Sequence, residues 1–265
     1  MFFRLSSLEL GLLLFGVVLG TTLVGVVVGR RLRAHADTLR EPFGVLQAAL
    51  LGLVGLILAF GLTMAVGRYD ARRAAVVEEA NAIGTTYLRA QTLREPVRTR
   101  SLEALVRYTD AEIRLSNAVP GGAGARDAIA EGSRLQRSLW RGAGEALAAS
   151  PIDSAPRLYV ETLNEMIDMQ TVRVSGLNNR VPTAVLVVEI VGAAIGLGLL
   201  ALYLAMLSRG VVTVLLAAVF VSVLLLTTFD LDRPVRGFVR VPNTPLVSLR
   251  VSMELPPAAH APAGP

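Results

Sequence analysis

The sequence of 265 residues lacks cysteine and lysine and has only two histidines. Without cysteine the chain can form no disulfide, no thiolate nucleophile and no cysteine-ligated zinc site. Its histidines, His35 and His260, have no carboxylate or second histidine at ligand spacing, which argues against a metal site and a histidine-based triad. The sequence also shows no nucleophile–base pair and no phosphate-binding loop, so we expect no enzyme and no cofactor.

Charge is present in both signs but the balance is basic. The 26 basic residues, all arginine, outnumber 21 acidic residues, and the pI is near 10.3. Such a balance occurs in many nucleic-acid-binding proteins, but here the arginines are spread along the chain and no recognition motif accompanies them. We therefore expect no nucleic-acid partner.

Hydropathy indicates a membrane protein, because hydrophobic residues make up 53% of the sequence, charged residues only 18%, and the mean hydropathy is +0.56. Each of four apolar stretches is roughly 30 Å long at about 1.5 Å per residue, and none alternates with the period of a strand. The stretches are 8–29, 43–66, 183–207 and 210–229. We therefore predict an all-α polytopic membrane protein with four transmembrane helices, arranged two plus two. The first is interpreted as a retained helix, because it is too long for a signal peptide and lacks a small-residue cleavage site.

The stretch from 68 to 180 is charged throughout and is the part that we expect outside the membrane. Its apolar residues recur at three-to-four spacing, which predicts three or four amphipathic helices packed as a bundle. Nothing breaks the chain after the second span, so one helix is expected to continue out of the membrane for several turns. The predicted domains are a transmembrane hairpin (1–66), an extramembrane helical region (67–181), a second transmembrane hairpin (182–229) and a proline-rich, partly disordered tail (230–265).

Four spans put both termini and residues 67–181 on one side of the membrane. Nine arginines near the span ends lie on that side and five on the other, which favours a cytoplasmic location for the helical region. The first span argues the other way, since the flank after it, 30–33, is more basic than the flank before it.

The second span contains no charge and carries Gly52, Leu56 and Phe60 on one face, at i, i+4 and i+8. A basic run, residues 68–73, follows it. Repeated around a symmetry axis, this face would form a narrow apolar constriction that opens onto a ring of arginines. Apolar constrictions gate by dewetting, and arginine rings favour anions. The alternative is an ordinary packed face followed by the positive flank of a span.

Several charges are predicted to lie at one membrane face: Arg68, Arg72, Glu189, Asp230, Asp232 and Arg233. Unpaired charges would be costly at this dry boundary, so we predict that Asp230 or Asp232 pairs with Arg68 or Arg72. Separate solvated charges are the alternative. Glu189 lies inside the third span, where a carboxylate is a functional candidate by default; alternatively it reaches the interface or lies protonated between helices.

The segment from Phe60 to Tyr69 resembles the neck-helix motif of bestrophins, in which a phenylalanine precedes an arginine by eight residues. Over nearly its full length the chain more closely resembles a bacterial membrane family described as bestrophin-like. The residues that carry this resemblance are Tyr69, Glu78, Glu79, Asn81, Pro234 and Gly237. Pro234 ends the run Asp230-Leu-Asp-Arg-Pro234, and Gly237 comes shortly after it.

The resemblance implies a pentameric channel for inorganic anions, with Phe60 at a neck position and Leu56 and Gly52 one and two turns before it. It also implies a homo-oligomer in the lipid of a bacterial inner membrane, with both termini and residues 67–181 in the cytoplasm. The acidic calcium-binding run of bestrophins is missing after the fourth span, so calcium gating is not expected. The rival hypothesis is a membrane-anchored interaction or signalling scaffold without conduction.

Overall fold

The computed structural model describes residues 6–208, 210–233, 235 and 237–259, and in these residues it contains helices and no β-strand. A short 3-10 helix, Leu32–His35, separates the first two α-helices. The α-helices are α1 (Ser7–Arg31), α2 (Ala36–Ala90), α3 (Val97–Asn117), α4 (Ala123–Ala149), α5 (Ser154–Asn178), α6 (Thr183–Met206), α7 (Val211–Leu231) and α8 (Thr244–Ser252).

Four helical stretches are long and apolar enough to cross a membrane, as predicted, and they lie in α1, α2, α6 and α7. The start of α1 is fixed by a capping box, in which Ser6 Oγ accepts from the backbone N–H of Glu9 and Glu9 accepts from the N–H of Ser6. The loop expected at 30–42 is shorter than predicted, because α2 already begins at Ala36. Pro42 is tolerated inside α2 at the loss of one backbone hydrogen bond.

The chain forms two compact units. We call the first the membrane unit; it consists of the residues up to Tyr69 together with Arg180–Arg240. The second, the bundle unit, consists of Asp70–Asn179 together with the residues from Val241 on. Helix α2 contributes to both, so the prediction of one helix that continues past the second span is confirmed.

The membrane unit is held together by close helix contacts at small residues. Gly25 and Gly29 of α1 lie so near α6 that a Cβ atom at either position would overlap a backbone carbonyl oxygen, of Gly198 and Leu202 respectively. Gly192 and Gly196 of α6 face α2 more loosely, since a Cβ atom at these positions would lie 3.5 and 3.3 Å from the Val54 side chain. The buried apolar residues of this unit include Leu10, Leu14, Val18, Leu58, Ala65, Leu186, Leu197, Leu225 and Phe229.

The bundle unit packs the apolar faces of α3, α4 and α5 with the part of α2 beyond Tyr69. Beyond the continuation of α2, the region that was expected outside the membrane contains three separate helices, α3, α4 and α5. Asp153 occupies the N-cap position of α5. The core consists mainly of Ile83, Leu93, Leu105, Tyr108, Leu139, Tyr159, Leu163 and Met166.

Part of the C-terminal segment forms a helix that was not predicted from the sequence. It contains α8, which begins with Pro245 in its first turn, and it buries Leu246 and Met253 in the core of the bundle unit. Arg250 Nε donates to Asp110 Oδ1 at 2.9 Å, which ties α8 to α3. The many surrounding prolines concealed this short apolar helix. Residues 260–265 of the expected tail lie outside the described residues.

Candidate functional site

One face of α2 has no neighbour within the described part of the membrane unit. Gly52, Leu56 and Phe60 all lie on this face; Phe60 is 62% exposed, and nothing lies within 4 Å of the position that a Cβ atom would take at Gly52. The opposite face of the same helix, at Leu58 and Ala65, is buried against the other spans. The exposed face of this helix is therefore uncharged, and its side chains increase in size from Gly52 through Leu56 to Phe60.

The exposed stripe continues from Phe60 to polar positions near the end of the membrane unit. Thr63 is exposed, and its hydroxyl group donates to the carbonyl oxygen of Ala59 at 2.8 Å, which is a common way to satisfy a hydroxyl in an apolar helix. Gly67 is exposed with no neighbour within 4 Å, and Arg68 follows it. The apolar stripe thus ends at a cationic residue, as the sequence pattern indicates.

Glu189 of α6 lies against α2 on the buried side. It is 1% exposed, and its Oε1 occupies the space that a side chain at Gly61 would need. In the described residues neither of its carboxyl oxygens has a hydrogen-bond partner. Apart from Glu189, the charged residues of α1, α2, α6 and α7 in the membrane unit lie at or beyond the ends of the four apolar stretches, among them Glu9, Arg30, Arg31, Arg68 and Asp230.

The acidic residues after the fourth span accept hydrogen bonds from backbone N–H groups. Both carboxylate oxygens of Asp232 lie 3.1 Å from the N–H of Val181, just before α6 begins. Asp230 accepts from the N–H of Val239 at 2.9 Å and from the hydroxyl of Ser7 at 3.1 Å. These carboxylates therefore fix the ends of α6 and α7 in the membrane unit.

Arg72 belongs to the bundle unit, where it is 4% exposed. Its Nε donates to the carbonyl oxygen of Gly176 at 3.1 Å, and its Nη2 to that of Asn179 at 2.7 Å. These carbonyls close the C-terminal end of α5, where a cation is favourable. The predicted pairing of Asp230 or Asp232 with Arg68 or Arg72 stays a prediction; the test is whether reversing an arginine and an aspartate together restores folding lost in the single reversals.

Over the described residues no three histidine, aspartate or glutamate side chains are placed to hold a metal ion. A cleft of about 390 Å³ opens in the bundle unit beside the first turn of α5. Its arginines are engaged, Arg94 with Asp153 at 3.1 Å and Arg100 with Glu145 at 2.5 Å. Both arginines that line the cleft are therefore compensated by carboxylates.

A family model described as "Bestrophin-like domain" matches residues 12–246. The chain belongs to the bestrophin-like family. Crystal structures of a bacterial bestrophin homolog from Klebsiella pneumoniae resemble this bestrophin-like protein in fold. One phased on zinc and one of a point variant each match with a TM-score of 0.65 and 14% sequence identity, and each match covers 89% of this chain and 97% of that chain. No curated protein matches the chain.

Membership of this family and the four apolar helices make the chain a multi-pass membrane protein of a channel-forming class. These structures share only 14% sequence identity with the chain, so the similarity is one of fold. Within that architecture, α2 is the span whose exposed face carries the neck-motif residue Phe60.

The other residues that carry the family resemblance differ from one another in how deeply they are buried. Glu78 and Asn81 are exposed and Tyr69 is half-buried, whereas Glu79 is fully buried in the bundle unit. Gly237 is buried beside Asp230; a Cβ atom there would lie 2.7 Å from Asp230 Oδ2, so only glycine leaves room for the carboxylate. Pro234 lies outside the described residues.

The side chains that pair with Glu79 were not predicted from the sequence. Arg173 of α5 forms an ion pair with both Glu79 and Glu112 of α3, and all three side chains are at most 3% exposed. One feature of the pattern could have revealed them: Glu112 follows Leu105 and Thr109 on the inward face of α3, and Arg173 follows Met166 and Gln170 on that of α5. A charge on an apolar face indicates a buried pair.

Proposed function

We propose that this bestrophin-like protein is a passive channel for chloride-type anions that acts as a homo-oligomer, pentameric by its resemblance to bestrophins. The observation that carries the proposal is the uncovered, uncharged face of α2 with Gly52, Leu56 and Phe60. A helix face without charge that ends at an arginine suits the wall of an anion pore. One subunit with four spans cannot enclose such a pore, so the proposal requires several copies.

In this arrangement copies of Phe60 and Leu56 form the narrow apolar constriction, which conducts only when it is wetted. Gly52 forms a wider section beyond it. Arg68 supplies the positive potential at the end of the constriction. Arg72 has a different role, since its guanidinium group is buried and binds carbonyl oxygens at the end of α5.

We further propose the two-plus-two topology, in a bacterial inner membrane, with both termini and the bundle unit in the cytoplasm. The short connections support two hairpins: only the 3-10 helix Leu32–His35 separates α1 from α2, and few residues separate α6 from α7. Helices joined so closely run antiparallel. The arginine distribution along the sequence supports the cytoplasmic side.

The test is chloride efflux from liposomes that contain the purified oligomer. Phe60→Ala is expected to raise the efflux rate, because a smaller residue weakens the dewetting barrier. The matched control is Phe220→Ala: Phe220 is a phenylalanine on α7 with an exposure of 68%, close to the 62% of Phe60. It should leave efflux unchanged. If both variants behave alike, the α2 face does not line the pore.

Charge selectivity is tested with Arg68→Glu, which should reduce the preference for chloride over potassium. Arg141→Glu, at an exposed position of α4, serves as the control and should leave the preference unchanged. Absence of flux from a verified oligomer, at varied pH and voltage, would contradict the channel proposal. It would favour the scaffold, in which the spans anchor a partner-binding bundle.

A further inference from the structure

The bundle unit buries a group of ionisable side chains that the channel proposal does not use. Arg173 Nη1 donates to the carboxylate of Glu79 and, at 2.8 Å, to Glu112 Oε2. Its Nη2 donates to the carbonyl oxygen of Glu112 at 3.0 Å and to Ser116 Oγ at 2.5 Å. We call these three side chains the Glu79–Arg173–Glu112 cluster. It joins α2, α3 and α5.

The charges of this cluster do not balance if both carboxyl groups are ionised. Two negative charges would face one positive charge, with no other described cation in contact with either glutamate. One further titratable side chain of the described residues faces the cluster, that of Tyr108 in α3. Burial and the neighbouring Glu112 raise the pKa of Tyr108 well above its usual value. Helix α4 contributes only the neutral Gln136 and Gly132, and Arg72 of α2 is bound to the end of α5.

The hydrogen bonds point to the same imbalance. Both oxygens of Glu112 accept, Oε1 from Gln170 at 2.5 Å and Oε2 from Arg173. Glu79 Oε1 has no N–H or hydroxyl donor in the described residues, although it is fully buried. The carboxyl groups of Glu79 and Glu112 both lie on the same atom, Arg173 Nη1. Two buried carboxyl groups that share one site do not readily ionise together, so one of them is expected to carry a proton.

We propose that the Glu79–Arg173–Glu112 cluster is a proton-binding site, in which the two carboxyl groups share one proton and the loss of that proton loosens the junction of α2, α3 and α5. The bound proton makes the cluster neutral, with one carboxylate, one guanidinium and one carboxylic acid. Loss of the proton leaves two carboxylates on one guanidinium in a buried site, which is strongly unfavourable.

The cluster is expected to lose its proton at a pH close to the physiological range. Burial and, after it, the neighbouring Glu79 carboxylate raise the pKa of Glu112 to about 8. The packing around the cluster leaves little room for a local adjustment, since a Cβ atom at Gly132 would lie only 2.5 Å from Gln170 Nε2. Relief of the repulsion therefore requires the helices themselves to separate and admit water. The bundle unit would sense alkaline pH by this route.

The experiment is infrared spectroscopy of the full-length protein in detergent, which detects the C=O stretch of a protonated carboxyl group. The difference spectrum between the wild type and Glu112→Gln should contain this band at about pH 6 and lose half of it near pH 8. Glu79→Gln should abolish the same band, because the remaining carboxyl group then pairs with Arg173 as a carboxylate. Glu103→Gln, at an exposed position of the same helix, should leave it intact.

Absence of the band from the difference spectrum, or a band that persists unchanged to about pH 10, would overturn the proposal. If a variant fails to fold, the test is instead amide hydrogen exchange of the wild-type protein, measured below and above pH 8. After correction for intrinsic rates, α3 should open more at the higher pH than residues 139–149 of α4, which do not touch the cluster. Equal protection in both helices would overturn the proposal. Neither measurement depends on conduction, so failure of the channel proposal leaves this test intact.

Discussion

The carboxyl group of Glu189 in α6 fills the space beside Gly61 in α2 that any larger residue would need. Glu189 is almost completely buried, and it has no hydrogen-bond partner among the described residues. The absence of a side chain at residue 61 is thus what allows a polar group between two apolar helices. The two residues should respond to substitution as a pair.

Gly61→Ala is expected to destabilise the protein by about 1–3 kcal/mol, because the added methyl group overpacks the contact with Glu189. Gly55→Ala is the matched control on the same helix, since nothing lies within 4 Å of the position of its Cβ atom. Thermal unfolding of both variants in the same detergent gives the comparison. Equal unfolding temperatures would mean that α2 and α6 are not in contact at residue 61.

Glu189→Gln should fold and assemble as the wild type does, because it keeps the shape of the side chain and loses no partner in the described residues. Glu189→Arg should yield no monodisperse protein, since a larger, permanently charged group cannot be accommodated in this apolar contact. Size-exclusion chromatography of both variants measures this. A well-behaved arginine variant would show that the carboxyl group lies in a wet site.

Asp232→Ala is expected to cost about 1–3 kcal/mol, because it leaves the buried N–H of Val181 without its acceptor. Asp232→Asn, which keeps one acceptor oxygen, should lose less. Asp127→Ala, at an exposed position of α4, is the surface control and should be nearly neutral. If the alanine and asparagine variants are equally stable, the backbone hydrogen bond does not contribute.

The stability of the protein should fall as pH rises from about 4.5 to about 8. Over this range the folded chain keeps a proton at Glu112 that the unfolded chain releases, since the folded pKa is about 8 and the ordinary value is 4.5. Stability is then greatest below the unfolded pKa and declines by roughly 1 kcal/mol per pH unit. Unfolding temperatures at several pH values measure the slope. Glu112→Gln should flatten it, and an unchanged slope in that variant would exclude Glu112 as its source.

The loop between α3 and α4 offers a site for testing the proposed topology. A reporter that is active only in the periplasm, inserted after Pro120, should be inactive if the bundle unit is cytoplasmic. A fluorescent reporter at the same site should be bright, which controls for expression. Strong periplasmic activity would reverse the proposed orientation.

Much of the architecture could be predicted because its determinants are local. The four spans follow from hydropathy over about twenty residues, and the continuation of α2 past Tyr69 follows from the lack of any helix-breaking residue there. Gly25 and Gly29 could be assigned to helix packing from their four-residue spacing alone. These properties need no knowledge of distant residues.

The parts that were missed depend on contacts between distant segments. Arg173 lies 94 residues from Glu79, and no local pattern relates the two. The short helix α8 has only a few apolar residues among prolines, and its stability comes from burial of Leu246 in a core formed by other helices. The hydrogen bonds of Arg72 to the end of α5 likewise join residues about a hundred positions apart, and no local pattern relates them.

Within the bundle unit, α2 is joined to α5 at two positions seven residues apart. Glu79 pairs with Arg173, and Thr86 Oγ1 donates to the carbonyl oxygen of Thr162 at 3.0 Å. One residue inserted between Glu79 and Thr86 would turn the second contact by about 100° relative to the first and move it by about 1.5 Å along the helix. The two contacts could then not form together, so the chain length between Glu79 and Thr86 is fixed by the packing of this unit.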